Sequence, residues 1–162
     1  MATTTTVVEV KRALIVEISA LSVVSAHAAS APLVQVSYAR PPVDQVRSES
    51  VWFAETATTS PPEYRMTAGR RRRMVTWGID LVVSSQIISD AADAEERAFE
   101  IVAAIEDFLA AEAQPAEWTY APVASGAMWV TVDSISVDHA ETTEGHLRVE
   151  VTMTLEMKER LL

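Results

Sequence analysis

The clearest pattern along the chain is an alternation of apolar and polar residues in three segments. Residues 74–84 have one apolar face with the two-residue period of a strand, formed by Val75, Trp77, Ile79, Leu81 and Val83. Residues 129–137 and 146–157 alternate in the same way and flank a polar segment that contains Gly145. We therefore predict a long strand at 74–84 and an antiparallel hairpin that closes the chain.

The alternation in the first arm of this hairpin shifts by one residue. Val130 and Val132 are two positions apart, whereas the next apolar residue, Ile135, follows three positions later. One extra residue in one strand of an antiparallel pair forms a β-bulge. The shift therefore predicts a bulge near Asp133 and Ser134.

Two segments have the period of amphipathic helices. The first is predicted to run from about Val7 to Val24, and its T-x-x-E motif at Thr6 and Glu9 is typical of an amino-terminal capping box. The second lies within residues 89–113, where acidic residues in the first turns interact favourably with the helix dipole. Its broad apolar stripe consists of Ala98, Ile101, Val102, Ile105, Phe108 and Leu109.

Two shorter strands, at 32–42 and 47–56, complete the predicted sheet. The predicted order is α-β-β-β-α-β-β, which indicates an α+β fold: an antiparallel sheet of four to five strands with two helices packed on one face. The length of 162 residues fits a single domain, 1–162. Residues 56–73 show no period, and we expect a long loop there, of the kind that tends to be functional or disordered.

Composition narrows the class of protein. The net charge is −10, and an acidic surface repels phosphates, so a dedicated duplex-binding domain is disfavoured. The chain has no cysteine, which excludes disulfides, thiolate metal sites and cysteine nucleophiles. The first residues lack the positive region of a signal peptide, which favours a cytosolic amphipathic helix. No apolar run approaches the roughly 18 residues of a membrane span, so we expect no membrane partner.

Residues that could carry chemistry do not converge on a site. A nucleophilic triad requires a base near a serine or threonine, and no such motif surrounds His27, His139 or His146. The tip of the closing hairpin is the best metal candidate, although we favour a solvated turn over a weak metal site. Its possible ligands are Asp138, His139, Glu141, Glu144 and His146. We therefore expect no enzyme activity, no catalytic residue, no metal and no cofactor.

A run of four arginines stands out in this acidic chain. An arginine side chain pairs bidentately with a carboxylate or a phosphate. We favour docking on a protein, for example on Glu95, Glu96 and Glu100 of a neighbouring subunit, over contact with passing DNA or a merely solvated loop. The candidate partner-binding residues are Arg70, Arg71, Arg72 and Arg73.

The order of the elements suggests a family. An amino-terminal helix leads into three strands, the third being "RMVTWGIDLVVSS", and these are followed by the helix "DAEERAFEIVAAIEDFLAAE" and the closing hairpin. This layout resembles that of the tail terminator proteins of long-tailed (siphovirus-type) bacteriophages, over about residues 7–160. The resemblance implies a structural virion protein that forms a ring, usually a hexamer. Such a ring caps the tail tube, ends its polymerisation and joins the tail to the head.

The resemblance also implies partners. The ring would contact other copies of this chain, the tail tube protein and a head-side connector or stopper protein, and genomic DNA would pass through its lumen. The protein would be found in the tail or neck of the virion, and in the host cytoplasm during assembly. Two alternatives stay open: another head–tail connector or tail-completion protein, and a non-enzymatic α+β domain that binds a small ligand on the wet face of its sheet.

Overall fold

The computed structural model describes residues 3–25, 34–60, 63–67, 70–86, 91–124, 126–141 and 147–161. Within these ranges the chain forms three α-helices and six strands. The helices are α1 (Thr3–Ala20), α2 (Ser22–Ser25) and α3 (Ala91–Ala111). The strands are β1 (Gln35–Ser37), β2 (Glu49–Thr59), β3 (Glu63–Thr67), β4 (Arg70–Gln86), β5 (Ala127–Glu141) and β6 (Leu147–Leu161).

All six of these strands belong to one sheet. Its order is β1-β2-β4-β6-β5, and β3 extends the sheet by pairing with the first residues of β4. Neighbouring strands are antiparallel except for β1, which runs parallel to β2. The predicted α+β class is therefore confirmed. The sheet, however, is mixed, it has one strand more than the four to five predicted, and a short second helix follows the first.

One face of the sheet, which we call the helix face, holds the core. The pairing of β4 with β6 places Ile79 opposite Leu155 and Leu81 opposite Met153, and all four side chains are buried. Burial of each such side chain contributes about 1.5–3 kcal/mol. Residues of α1 and α3 belong to the same cluster, among them Val10, Leu14, Ile18, Ala98, Ile101 and Ile105.

The opposite face, the outer face, carries a smaller packed layer beside β2. Trp52 and Val82 alternate with the core residues of their strands and are buried there, outside the main cluster. The connection from β1 to β2 lies against this patch, since the guanidinium of Arg40 stands 5.7 Å from the centre of the Trp52 ring. Arg148 of β6 donates a 3.3 Å hydrogen bond to the carbonyl oxygen of Arg47 in the same connection. The hydrophobic pattern did not indicate this layer.

The segment predicted as a long loop, residues 56–73, is mostly strand. β2 continues to Thr59, β3 follows, and β4 begins at Arg70. The loop prediction was wrong because an alternating pattern arises only where one face of a strand is buried. β3 pairs with β4 alone, and the register of β2 against β4 shifts between Phe53 and Ala57. Backbone pairing therefore forms these strands without a repeating apolar face.

The first helix also departs from its prediction. α1 begins three residues before Thr6, so Thr6 and Glu9 do not form a capping box; Thr6 is buried within the helix instead. The predicted single helix is interrupted at Leu21, whose amide donates a 3.1 Å hydrogen bond to the carbonyl oxygen of Ile18, three residues earlier. That tighter turn ends α1, and α2 begins directly after it.

The closing hairpin follows its prediction closely. β5 and β6 pair antiparallel, and the register shifts between Val132 and Ser134, which confirms the predicted bulge. A second shift, between Ala127 and Trp129, was not predicted. Both strands, like β4, extend beyond the segments that alternate.

Candidate assembly surfaces

The arginine run lies in a two-stranded extension of the sheet. We call it the arginine hairpin and define it as β3 together with residues 70–74 of β4. Thr67 lies opposite Arg70 in this hairpin, whereas β6 pairs with β4 only from Arg73 onward and β2 only from Trp77 onward. The candidate residues thus belong to a strand rather than a loop. Three of them have β3 as their sole paired strand in the described chain: Arg70, Arg71 and Arg72.

Few contacts are described between the hairpin and the rest of the chain. β3 packs chiefly on β4, and among the side chains that the structure describes in β4, Val75 is the first that belongs to the apolar cluster of the helix face. An isolated two-stranded hairpin is marginally stable in water. The arginine hairpin would therefore be stabilised by burial against another surface, and Arg73 at its base is already exposed.

An acidic surface, which we define as Glu95, Glu96 and Glu100 near the start of α3, lies at the other end of β4. His139 Nε2 on β5 is 3.5 Å from Glu95 Oε2 near the start of α3, and this contact lies at the end of the sheet where β4 finishes. A strand rises about 3.3 Å per residue, so the two ends of β4 are roughly 50 Å apart. The predicted pairing of the arginines with Glu95, Glu96 and Glu100 therefore cannot form within one chain and requires a neighbouring copy.

A buried ion pair fixes the start of α3 to the sheet. Arg97 donates to both carboxylate oxygens of Glu49, at 3.0 Å and 3.2 Å, and to the carbonyl oxygen of Val23 at 3.1 Å. Glu49 is 5% exposed. The hydrogen bond to Glu49 raises the pKa of Arg97, against the opposing effect of burial. The same guanidinium donates a 2.8 Å hydrogen bond to Glu100. Arg97 therefore links Glu100, which is part of the acidic surface, to α2 and β2.

β5 is an edge strand, and its two halves differ. In the first half, the amide of Val130 donates a 2.8 Å hydrogen bond to the carbonyl oxygen of Ala113, so the segment after α3 covers the edge. In the second half, residues 134–139, no further strand or backbone group of the described chain pairs with the outer side of β5. Ile135 and Val137 there are each 37% exposed. We call residues 134–139 the open edge.

The flank of α3 extends the apolar part of this edge. Glu95 and Phe99 are one turn apart and share a side of the helix, and Glu95 lies beside His139 of the open edge. Phe99 is 38% exposed. A strip of partly exposed apolar side chains thus runs along the open edge and the flank of α3. The same two elements carry the acidic residues Glu95 and Glu96, on α3, and Asp133 and Asp138, on β5.

The outer face has a shallow depression at the start of β5. It measures about 230 Å³, and its lining includes Trp129, Met74 and the Lys158–Glu156 ion pair of 3.1 Å. Sites for small ligands usually measure about 300–1,000 Å³ and enclose most of the ligand. The depression therefore gives little support to binding of a small ligand on this face.

The proposed metal ligands at the hairpin tip do not gather in the described residues. Asp138 and His139 alternate along β5 and so lie on opposite faces, and His139 faces Glu95. Glu144, His146 and His27 lie outside the described residues, as does the side chain of Glu141. In the part of the chain that is described, no group of three or more His, Asp or Glu residues is placed to hold a metal ion. None of the helices described is long and apolar enough to cross a membrane.

Comparison with known proteins does not assign the chain to a family. No protein-family model matches the chain, and no curated protein matches it. A functional proposal therefore depends on the arginine hairpin, the acidic surface and the open edge.

Proposed function

We propose that this protein is a structural subunit that assembles into a closed ring and acts as the tail terminator of a long-tailed bacteriophage. The main observation in favour of a ring is the position of the arginine hairpin, which lies roughly 50 Å along the sheet from the acidic surface of the same chain. Two different, complementary surfaces at opposite ends of a subunit favour head-to-tail contacts. Such contacts give a ring when the rotation between subunits closes.

Charge explains how such a subunit stays soluble and still assembles. A net charge of −10 makes free copies repel one another at long range. Arg70 to Arg73 place four positive charges on consecutive residues, and an acidic surface of a neighbour would set the register of the contact. Screening by salt weakens such contacts, so assembly should depend on ionic strength.

The phage role is supported by the resemblance in element order. The ring, usually a hexamer in that family, would cap the tail tube, stop its growth and join it to the head-side connector, without catalysis. Its partners would be copies of itself, the tube protein and the connector or stopper, with genomic DNA in the lumen. A different head–tail connector or tail-completion protein would use similar contacts between copies, and binding to the purified tube protein separates these roles.

Native mass spectrometry and negative-stain electron microscopy test the proposal. The wild-type chain should form closed rings at high concentration or on tube ends. Reversal of all four arginines, Arg70→Glu through Arg73→Glu, should leave the monomer folded by circular dichroism and abolish the rings. Reversal of an exposed arginine on α1, Arg12→Glu, is the control and should leave assembly intact.

Two outcomes would count against the proposal in different ways. A wild-type chain that remains monomeric even with the tube protein would contradict the ring. Rings formed normally by the four-arginine variant would show that the arginine hairpin is not the docking element.

A further inference from the structure

We propose that the ring contact is a β-sheet continued from one chain to the next, in which β3 of one arginine hairpin adds to the open edge of β5 in a neighbouring copy. The inference rests on the proposed function, because it names the surfaces through which copies would join. The arginines were indicated by the sequence, whereas the open edge was found only in the structure.

The open edge has few of the features that protect an exposed strand. An unpaired edge offers a row of backbone donors and acceptors to any other strand, and proteins usually protect it with lysine, proline, bulges or a covering segment. Residues 134–139 contain no lysine and no proline. The bulge lies before them, and their register against β6 runs without interruption from Ser134 to Glu141. Ala113 covers only the first half of β5.

β3 is a suitable strand to occupy this edge. It has five residues, close to the length of the open edge, and among the described strands it pairs only with β4. Within the described ranges, no second strand pairs with its other side. Addition of a strand to a sheet edge is a common mode of recognition, in which backbone hydrogen bonds give affinity. It would also give β3 a second paired strand beside β4.

Charge favours β3 over a second copy of β5 as the occupant. Two β5 strands paired about a two-fold axis would bring the acidic residues of both copies, Asp133, Asp138 and Glu95, into one contact, and like charges close together are destabilising. The arginine hairpin is basic in sequence, with Arg65 in β3 and the four arginines that open β4. The acidic residues of α3 and β5 are complementary to it.

Cross-linking tests this contact directly, because the natural chain contains no cysteine. The variants Thr67→Cys, in β3, and Ser136→Cys, in the open edge, are treated with a short bis-maleimide under assembly conditions. A mixture of the two should give a cross-linked dimer that contains one copy of each, and neither variant alone should give one. Ala103→Cys, exposed on α3, is the control and should not cross-link to Thr67→Cys.

A charge variant measures the contribution of the edge. Val137→Lys places a lysine on the open edge, and Thr131→Lys places one on the half of β5 that Ala113 covers. Val137→Lys should weaken association at least about tenfold, whereas Thr131→Lys should not. Circular dichroism and thermal unfolding of the monomers check that both variants fold.

The outcomes separate this inference from the proposed function. Rings that form without the mixed cross-link would contradict the β3–β5 contact but not the ring itself. The same holds if the Val137→Lys variant forms rings as readily as the wild type. A cross-link of Ser136→Cys to itself indicates β5–β5 pairing and also overturns it. A chain that shows no association at any concentration overturns both.

Discussion

Residues 74–86 and residues 70–73 belong to the same strand, β4, but to different environments. The longer part lies between β2 and β6 and has α3 packed over it, whereas the shorter part pairs mainly with β3. In the longer part, Val75, Trp77, Ile79, Leu81 and Val83 form one apolar face, and the shorter part is a run of arginines. A buried face thus leaves a pattern in the sequence, while a strand held by backbone pairing alone can have almost any composition.

β5 shows the same difference between its two halves. Its first half is covered at the edge by the segment after α3, and its second half is open. In both strands the covered part stabilises the monomer, and the uncovered part is where we propose that another chain binds. Substitutions in the covered parts should therefore lower stability, and substitutions in the uncovered parts should lower association.

The largest effect is expected in the covered part of the sheet. Leu155→Ala removes a fully buried side chain between the helices and the sheet, and should lower the free energy of unfolding by about 3 kcal/mol. Arg73→Ala, at an exposed position of the arginine hairpin, should change it by less than about 0.5 kcal/mol. Urea unfolding followed by circular dichroism measures both. Similar losses in the two variants would contradict the division of β4 into two environments.

The next effect concerns the ion pair under the acidic surface. Arg97→Met leaves the buried carboxylate of Glu49 without its bidentate partner and should cost about 2 kcal/mol, less than for a fully buried pair because the Arg97 side chain is 23% exposed. The double variant Glu49→Met/Arg97→Met should recover part of that loss. A double variant as unstable as the sum of the two single variants would argue against the pairing.

A smaller effect should distinguish two glycines. A Cβ at Gly126 would collide with the carbonyl oxygen of Arg160, and the Gly126 carbonyl itself accepts a 2.8 Å hydrogen bond from the Arg160 amide. Gly126→Ala should therefore cost about 1–2 kcal/mol. At Gly78 the nearest atom is Thr58 Oγ1, at 2.6 Å, on a side chain that can rotate. Gly78→Ala should cost less, and thermal unfolding that ranks the two in the opposite order would contradict this packing at the start of β5.

The smallest effect concerns the buried amine of Lys11. Burial lowers the pKa of Lys11 from 10.5, and the attraction of Asp80 opposes that shift only in part. The folded protein therefore loses this proton at a lower pH than the unfolded chain does. The contribution of Lys11 to stability should therefore rise with pH between the lowered pKa and 10.5, and should not change with pH below or above that window. The difference in unfolding free energy between wild type and Lys11→Met should follow this change, and a constant difference would contradict it.

Much of the fold was predictable, and for one reason. The body of β4, the hairpin of β5 and β6, its bulge, and the helices all have a face buried in the core, so their residues repeat with the period of the element. The arginine run was also visible in the sequence, but its placement was not. Residues 56–73 show no sustained apolar period, and we predicted a loop where the chain forms strands.

The sequence by itself determined the α+β class, the positions of the elements that build the core, and the charge contrast between the arginines and the rest of the chain. Only the tertiary structure decided the order of the strands, and with it which strand has an open edge. It also decided that the arginines lie in a two-stranded extension of the sheet and that Arg97 pairs with Glu49, 48 residues away in the chain. The physical reason is that burial imposes a local repeat on the sequence, whereas strand pairing and ion pairs join distant residues through groups that leave no such repeat.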